Sequence, residues 1–280
     1  YRGVIARIQG YQVSELFSVL PGLGPMQLFR GILPEAVPGS LTPIYAVQCP
    51  FLYDRVGGPY VDSCGFDWPD NALRFAVLSK VAALFGSGSG LDDWQPHIIH
   101  CNDWQTGLVP VYLAHHPEAY SCSVISIHNL AFQGNFSPDL MPVLGLPWSC
   151  FDYRGIEFYG CISYLKAGLY YADKILTVSQ SYAREIQTPE FGFGLEGLLA
   201  DCRSRLIGVL NGIDVSRWDP STDPYLVANY DASNLCGKLE NKRELQIRMR
   251  LDPELDLPIL ALVTRLTDQK GVDLVLSLMV

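Results

Sequence analysis

Arg265 and Lys270, in TRLTDQKG (264–271), are two cations set close together in a 280-residue chain whose net charge is −9. Arg265 closes an apolar run, and Lys270 precedes a helical pattern beginning at Gly271. A strand–loop–helix junction with two cations can hold a diphosphate, each charge-assisted hydrogen bond contributing roughly 1.5–3 kcal/mol. The plainer alternative is a solvated basic loop. A second kind of chemistry is offered by polar groups at the ends of other apolar runs. His128 and Asn129 close the β-branched run in SVISIHNLAFQG (123–134), Asp103 follows HIIHC (97–101) by one residue, and Asn211 follows GVL. Imidazole, carboxylate and amide groups at strand ends suit a hydroxyl-rich ligand, because ligands of open α/β sheets bind outside the carboxyl ends of the strands. Each has a structural alternative too. His128 and Asn129 can satisfy loop backbone groups, Asp103 can cap the next helix, and Asn211-Gly212 is an ordinary turn dipeptide.

These residues need strands to position them, and the apolar periodicity supplies the strands. From HIIHC onward, short buried-strand patterns alternate with helical ones. They run DWQTGLVPVYLAHH, VISIH (124–128), GCISYLKAGLYYADK, KILTVS (174–179), SYAREI, RLIGVLNG (205–212), ENKRELQIRMRL (240–251), ILALVTRL (259–266) and KGVDLVLSLMV. Alternation of this kind predicts right-handed βαβ units and a doubly wound parallel sheet. Upstream, RGVIARIQGYQVSEL and LTPIYAVQC have strand character and flank a Pro- and Gly-bearing turn segment from Leu20 to Ser40. PFLYDRVGGPYVDSCGFDW (50–68) is an aromatic, glycine-rich loop, and Asp70 to Phe85 is an amphipathic helix. GSGSG (86–90) is a helix-exit loop. GFGLEG (192–197) matches a dinucleotide fingerprint in letters but follows TPEF instead of a strand, so it is a loop leading into the helix LEGLLADC. The polar stretch 213–239 is placed as a junction between domain 1–212 and the start of a second domain, 240–280.

With 49% hydrophobic and 18% charged residues the chain can bury a substantial core. Its acidity argues against nucleic-acid or anionic-membrane partners, and no apolar run approaches the ~20 residues that span a bilayer. The eight cysteines show no CxxC pair, and the five histidines no HExxH, so no metal site is expected. Tyr1 and the uncapped DLVLSLMV read as the ends of an internal piece of a longer protein.

HCNDWQTGLVPVYL, SIHNLAFQGNF, GIEFYGCISYLKAGLYYADKILTVSQSYAREI, GVLNGID, ENKRELQ and LVTRLTDQKG together resemble bacterial glycogen synthases and plant or cyanobacterial starch synthases, in consistent order along the whole chain. The resemblance implies an α/β fold of the GT-B type, with two Rossmann-like doubly wound parallel-sheet domains, the first without its initial strand and loop and the second truncated. It implies retaining transfer of glucose from ADP-glucose to the non-reducing end of an α-1,4-glucan, with no cofactor and no metal. On matching positions, His128 and Asp103 are the catalytic candidates. Arg265 and Lys270 would hold the donor diphosphate, Asn129 and Asn211 the donor pocket, and Tyr60 of GGPY a sugar or acceptor contact. The Lys-x-Gly-Gly-Leu loop of that family does not occur here, so this piece is expected to be inactive alone. A bacterial cytoplasm or plastid stroma is the implied setting. Two other readings stay open: a catalytically silent homologue that binds glucan, and a GT-B transferase using another nucleotide sugar.

Overall fold

Short apolar runs need neighbours to become strands, and in the computed structural model the runs in the middle of the chain find them. It describes residues 4–17, 19–33, 42–88, 94–254 and 257–278. The chain divides into two units, Tyr1–Asn211 and Gly212–Val280.

The first unit opens with α1 (Val4–Arg7) and an antiparallel sheet in the order β1 (Gln9–Leu16), β2 (Met26–Ile32), β3 (Pro43–Gln48). Two expectations are corrected here. Val4–Arg7 is a helical turn, not the start of a strand, and β2 lies inside the segment assigned to turns. Met26, Leu28 and Phe29 drive the second difference: burying them secures a strand whose flanking glycines and prolines mask it in the sequence. After α2 (Pro50–Tyr53) the loop to Trp68 carries only isolated bridges, and α3 (Asn71–Phe85) follows. Only Leu78 of this helix is exposed, so α3 is packed almost all round, beyond the one-sided pattern expected. Of the glycine-rich exit loop, residues 89 and 90 lie outside the described residues.

The parallel sheet comes next. Its strands are β4 (Ile98–Asn102), β5 (Cys122–Ile127), β9 (Lys174–Thr177) and β10 (Leu206–Gly208), in the spatial order β10-β9-β5-β4. Between them run α4 (Val109–Ala114), α5 (Tyr164–Tyr171), α6 (Gln180–Glu185) and α7 (Glu196–Asp201). The excursion after β5 holds a small antiparallel sheet of β6 (Asn135–Phe136), β7 (Glu157–Phe158) and β8 (Cys161–Ser163), with β8 in the middle. Two expected helices start later than their patterns imply. Pro110 in the first turn of α4 suits a helix start and not an interior, so residues 104–106 form a separate 3-10 turn. Ser163 caps α5, its Oγ accepting from Lys166 N at 3.2 Å, and the residues before it join β8.

The core of this unit runs through Ile125, Ile127, Leu165, Leu169 and Ile175, all fully buried. One close crossing sets the spacing between the turn after β4 and α5. A Cβ on Gly107 would sit 2.0 Å from Tyr164 O, and one on Gly168 would sit 3.1 Å from Gly107 Cα. Backbone, unlike a side-chain tip, cannot swing aside. Gly107→Ala is therefore expected to cost about 3 kcal/mol, at the upper end for overpacking, read as a lower urea midpoint with an unchanged slope.

The second unit contains α8 (Gly237–Arg248), a 3-10 turn Asp268–Lys270 and α9 (Val272–Ser277). The buried strand expected at 259–266 does not form: its residues join no ladder, and Leu260 and Val263 are 96% and 97% exposed. An isolated strand leaves its N–H and C=O groups without partners, and the described residues of this unit include no other strand to supply them.

Candidate functional site

Because β4 and β5 are parallel neighbours, the residues that follow them emerge at one edge of the sheet. In their register Asn102 pairs with Ser126, which puts Asp103 beside the chain as it leaves β5. The Asp103 N–H donates to Ser126 O at 2.9 Å, extending the ladder by one bond. Its carboxylate then crosses to the neighbouring chain. Oδ1 accepts from His128 N at 2.7 Å and from Asn129 N at 3.4 Å. Asp103 stands at the N-cap position of the 3-10 turn, yet the cap bond is not made. The geometry has a cost, since Asp103 adopts φ 52° and ψ −165°, a region that residues with a side chain rarely enter.

His128 is exposed at this edge, with Nε2 2.9 Å from Asn102 Oδ1. With the amide oxygen accepting, Nε2 carries the proton and a neutral ring keeps Nδ1 as an acceptor. Thr106 holds the other side of Asn102: its Oγ1 accepts from Asn102 N at 2.6 Å and donates to Asn102 O at 2.9 Å. Asn129 Oδ1 accepts from Ala131 N at 3.0 Å, which folds the chain into an Asx turn just after His128. Beneath, the buried Thr177 Oγ1 donates to Ile127 O at 2.9 Å and ties β9 to the end of β5. Cys101, one residue from Asn102, is buried, and that burial pushes its thiol up to about 12, so it behaves as a small hydrophobe and not as a nucleophile.

Tyr60 reaches the same edge from the long loop. Its hydroxyl accepts from Gln105 Nε2 at 3.2 Å, and its ring lies 5.9 Å from that of Phe75 and 6.3 Å from that of Trp104. Trp104 is itself wedged among Phe75, Phe136 and Tyr164. Gly134 permits that wedge, because a Cβ there would fall 2.4 Å from the indole. Asp103, His128, Asn129 and Tyr60 thus form one hydrogen-bonded and packed group. Asn211 is exposed and follows β10, two strand positions from β5, by three residues, and it makes no hydrogen bond with the group. Asn102 and Gln105 belong to the group although the spacing arguments did not select them. The signal was the parallel register, which sets Asn102 two residues from His128 on the adjacent strand.

Arg265 and Lys270 lie in the second unit. They share one turn, in which Thr267 N donates to Arg265 O and Lys270 N to Thr267 O, both at 2.9 Å. Both side chains are exposed. Arg265 follows an exposed irregular segment instead of a buried strand, while Lys270 immediately precedes the left-handed Gly271 that starts α9. Among the described residues no group of His, Cys, Asp and Glu could hold a metal ion, and no helix is long and apolar enough to cross a membrane.

This arrangement has relatives. Residues 16–201 match the family model described as the starch synthase catalytic domain. A glycogen synthase of Nitrosomonas eutropha is 47% identical over 277 residues, covering 99% of this chain and 55% of its own length. One of Aromatoleum aromaticum is 50% identical over 256 residues, covering 91% of this chain and 51% of its own. The chain therefore spans about half the length of the curated relatives it matches. Among solved structures, the catalytic domain of starch synthase IV from Arabidopsis thaliana, bound to ADP and acarbose, superposes with a TM-score of 0.78 at 28% identity. That match covers 97% of this chain and 55% of the other, and shows the GT-B fold.

Proposed function

The chain belongs to the starch synthase catalytic domain family, and from that premise we propose that it forms the acceptor side and the beginning of the donor side of an enzyme that transfers glucose from ADP-glucose to an α-1,4-glucan. The observation that carries the reading is the Asp103 carboxylate bound to the backbone N–H groups of His128 and Asn129. Such a bond presents imidazole and carboxamide groups outward in fixed directions, as sugar recognition requires, and rigid placement is what separates a transfer site from a polar loop. The solved relative supports the ligand classes, since its bound molecules are ADP and acarbose.

In this reading His128 meets the transferred glucose beside its anomeric carbon. Asn129 and Asn211 bond the donor sugar or its surroundings, and Tyr60 contacts the acceptor. Arg265 and Lys270 neutralise the diphosphate as it departs, which lowers the barrier because charge grows on that group in the transition state. No carboxylate in the described group stands apart as a nucleophile, because Asp103 is committed to the backbone of the next strand. Front-face substitution with retention is the course this reading favours, with no cofactor beyond the nucleotide sugar as substrate. A bacterial cytoplasm or plastid stroma, where glucan is stored, is the matching compartment.

The test is transfer of labelled glucose to glycogen by the protein that carries this chain at full length, with ADP-glucose and UDP-glucose side by side. Elongation that depends on ADP-glucose is expected. Absence of transfer from either donor, with glucan binding intact, would overturn the reading in favour of a silent glucan binder.

A further inference from the structure

Four aromatic side chains with no place in the core are exposed around one loop of the first unit. Tyr159 is 82% exposed, Phe132 and Phe193 just over half, and Phe191 slightly less. The loop is the FGFG stretch 191–194, which joins α6 to α7, and the fold brings it against the β7–β8 hairpin. A Cβ on Gly194 would lie 3.1 Å from Phe158 Cζ and 3.3 Å from Tyr159 Cε2, so the loop backbone passes directly over this ring pair. Gln133 Nε2 donates to Phe193 O at 3.0 Å, tying the loop to the segment that leaves His128 and Asn129. The patch is thus continuous along the chain with the site edge described above.

Neither Tyr159 nor Phe193 is where folding would put an aromatic residue. Tyr159 and Gly160 occupy the two turn positions of the hairpin with φ 48° and 81°, the geometry that prefers Asn-Gly or Asp-Gly. Phe193 has φ 50°, followed by Gly194 at 82°. Glycine or asparagine would relieve the backbone at either position, and a polar side chain would relieve the exposure. Rings kept against both preferences mark a surface that binds something. Residues 191–195 carry no charge, which does not suit a phosphate.

We propose that Phe132, Tyr159 and Phe193 form an aromatic platform on which the apolar faces of successive glucose rings of the acceptor glucan stack, away from the reacting end. This rests on the glucosyl-transfer reading of the site and adds to it a holding surface for the chain. Each ring offers a flat apolar face to sugar C–H groups while the sugar hydroxyls stay solvated or bonded at its edge.

The experiment uses the full-length protein and two substitutions that suit left-handed backbone, Tyr159→Asn and Phe193→Asn, so both variants are expected to fold and melt with the parent. Each should raise the half-saturating glycogen concentration about tenfold, equivalent to about 1.4 kcal/mol, while the KM for ADP-glucose moves less than twofold. Retarded migration in glycogen-containing native gels should be lost in parallel. Unchanged glycogen half-saturation in both variants would overturn the proposal. So would a change confined to the oligomeric state, which would assign the patch to a protein partner. Should the parent transfer no glucose at all, the gel retardation still decides the platform, separately from the reaction.

Discussion

Asp103→Ala is expected to lower the turnover of glucose transfer by the full-length protein about 100-fold, with a far smaller change in the KM for glycogen. The substitution removes the single oxygen that accepts from both His128 N and Asn129 N. It also leaves a strained backbone, φ 52° and ψ −165°, without the side-chain bonds that hold it. The strand end after β5 then keeps only the Asp103 N–H to Ser126 O bond and the Asn102 contact as ties to the chain after β4. His128 keeps its bond to Asn102 Oδ1 but loses the backbone anchor beneath it, so the imidazole no longer stands in one place. Misplacement of about 1 Å at a transfer site is worth a loss of this size. Asp103→Asn separates the two roles a carboxylate could have here. An amide oxygen of the same reach can still accept from His128 N, so turnover should return to within about tenfold of the parent if position is what matters. Equal losses in the two variants would show instead that the negative charge acts on the reaction. A turnover for Asp103→Ala within about threefold of the parent would sink the positioning argument.

The same residues show what could be read from the letters and what could not. Strand ends were legible because a buried parallel strand must be a short apolar run, and the polar residue after it must face outward at the sheet edge. That is why His128, Asn129 and Asp103 were identifiable before any contact was known. The partner of Asp103 was not, because a capping bond to the next helix and a bond to the adjacent strand demand the same residue type at the same position. Only the register of β4 against β5 decides between them. The missed strand β2 and the absent strand at 259–266 are opposite outcomes of one fact: strand formation depends on neighbours that local pattern does not contain. Met26 to Ile32 has β1 and β3 on either side, whereas Ile259 to Leu266 has none among the described residues of its unit. Arg74 was hidden differently. A charged residue within an apolar helical pattern is read as the solvated face, yet it is 6% exposed.

Arg74→Ala is expected to destabilise the chain by about 4 kcal/mol, a large share of the total stability of an ordinary domain. The guanidinium of Arg74 is the internal anchor of the loop that carries Tyr60. Nε donates to Leu52 O at 3.0 Å, and Nη1 to Pro59 O at 2.9 Å and Asn71 Oδ1 at 2.7 Å. The cation also lies within 6 Å of the rings of Tyr53, Trp68 and Phe75, where each contact is strengthened by the absence of water. Alanine would strand those acceptors at about 1–3 kcal/mol for each that water cannot reach, and would open a cavity beneath Trp68. Lysine would keep the charge but not the planar fork that spans Leu52 and Pro59, so Arg74→Lys should recover less than half of the loss. Arginine stays charged at every accessible pH, so the Arg74 contribution itself should not vary between about pH 5 and 9. The check is urea unfolding of the three proteins at both ends of that range. The activity consequence distinguishes anchoring from general destabilisation. Below the transition, Arg74→Ala should raise the KM for glycogen, because Tyr60 leaves Gln105, while the KM for ADP-glucose holds. An Arg74→Ala protein as stable as the parent would mean that the three carbonyl acceptors are met by water, and that the bonds of Asn71 and Trp68 to the loop suffice without the guanidinium.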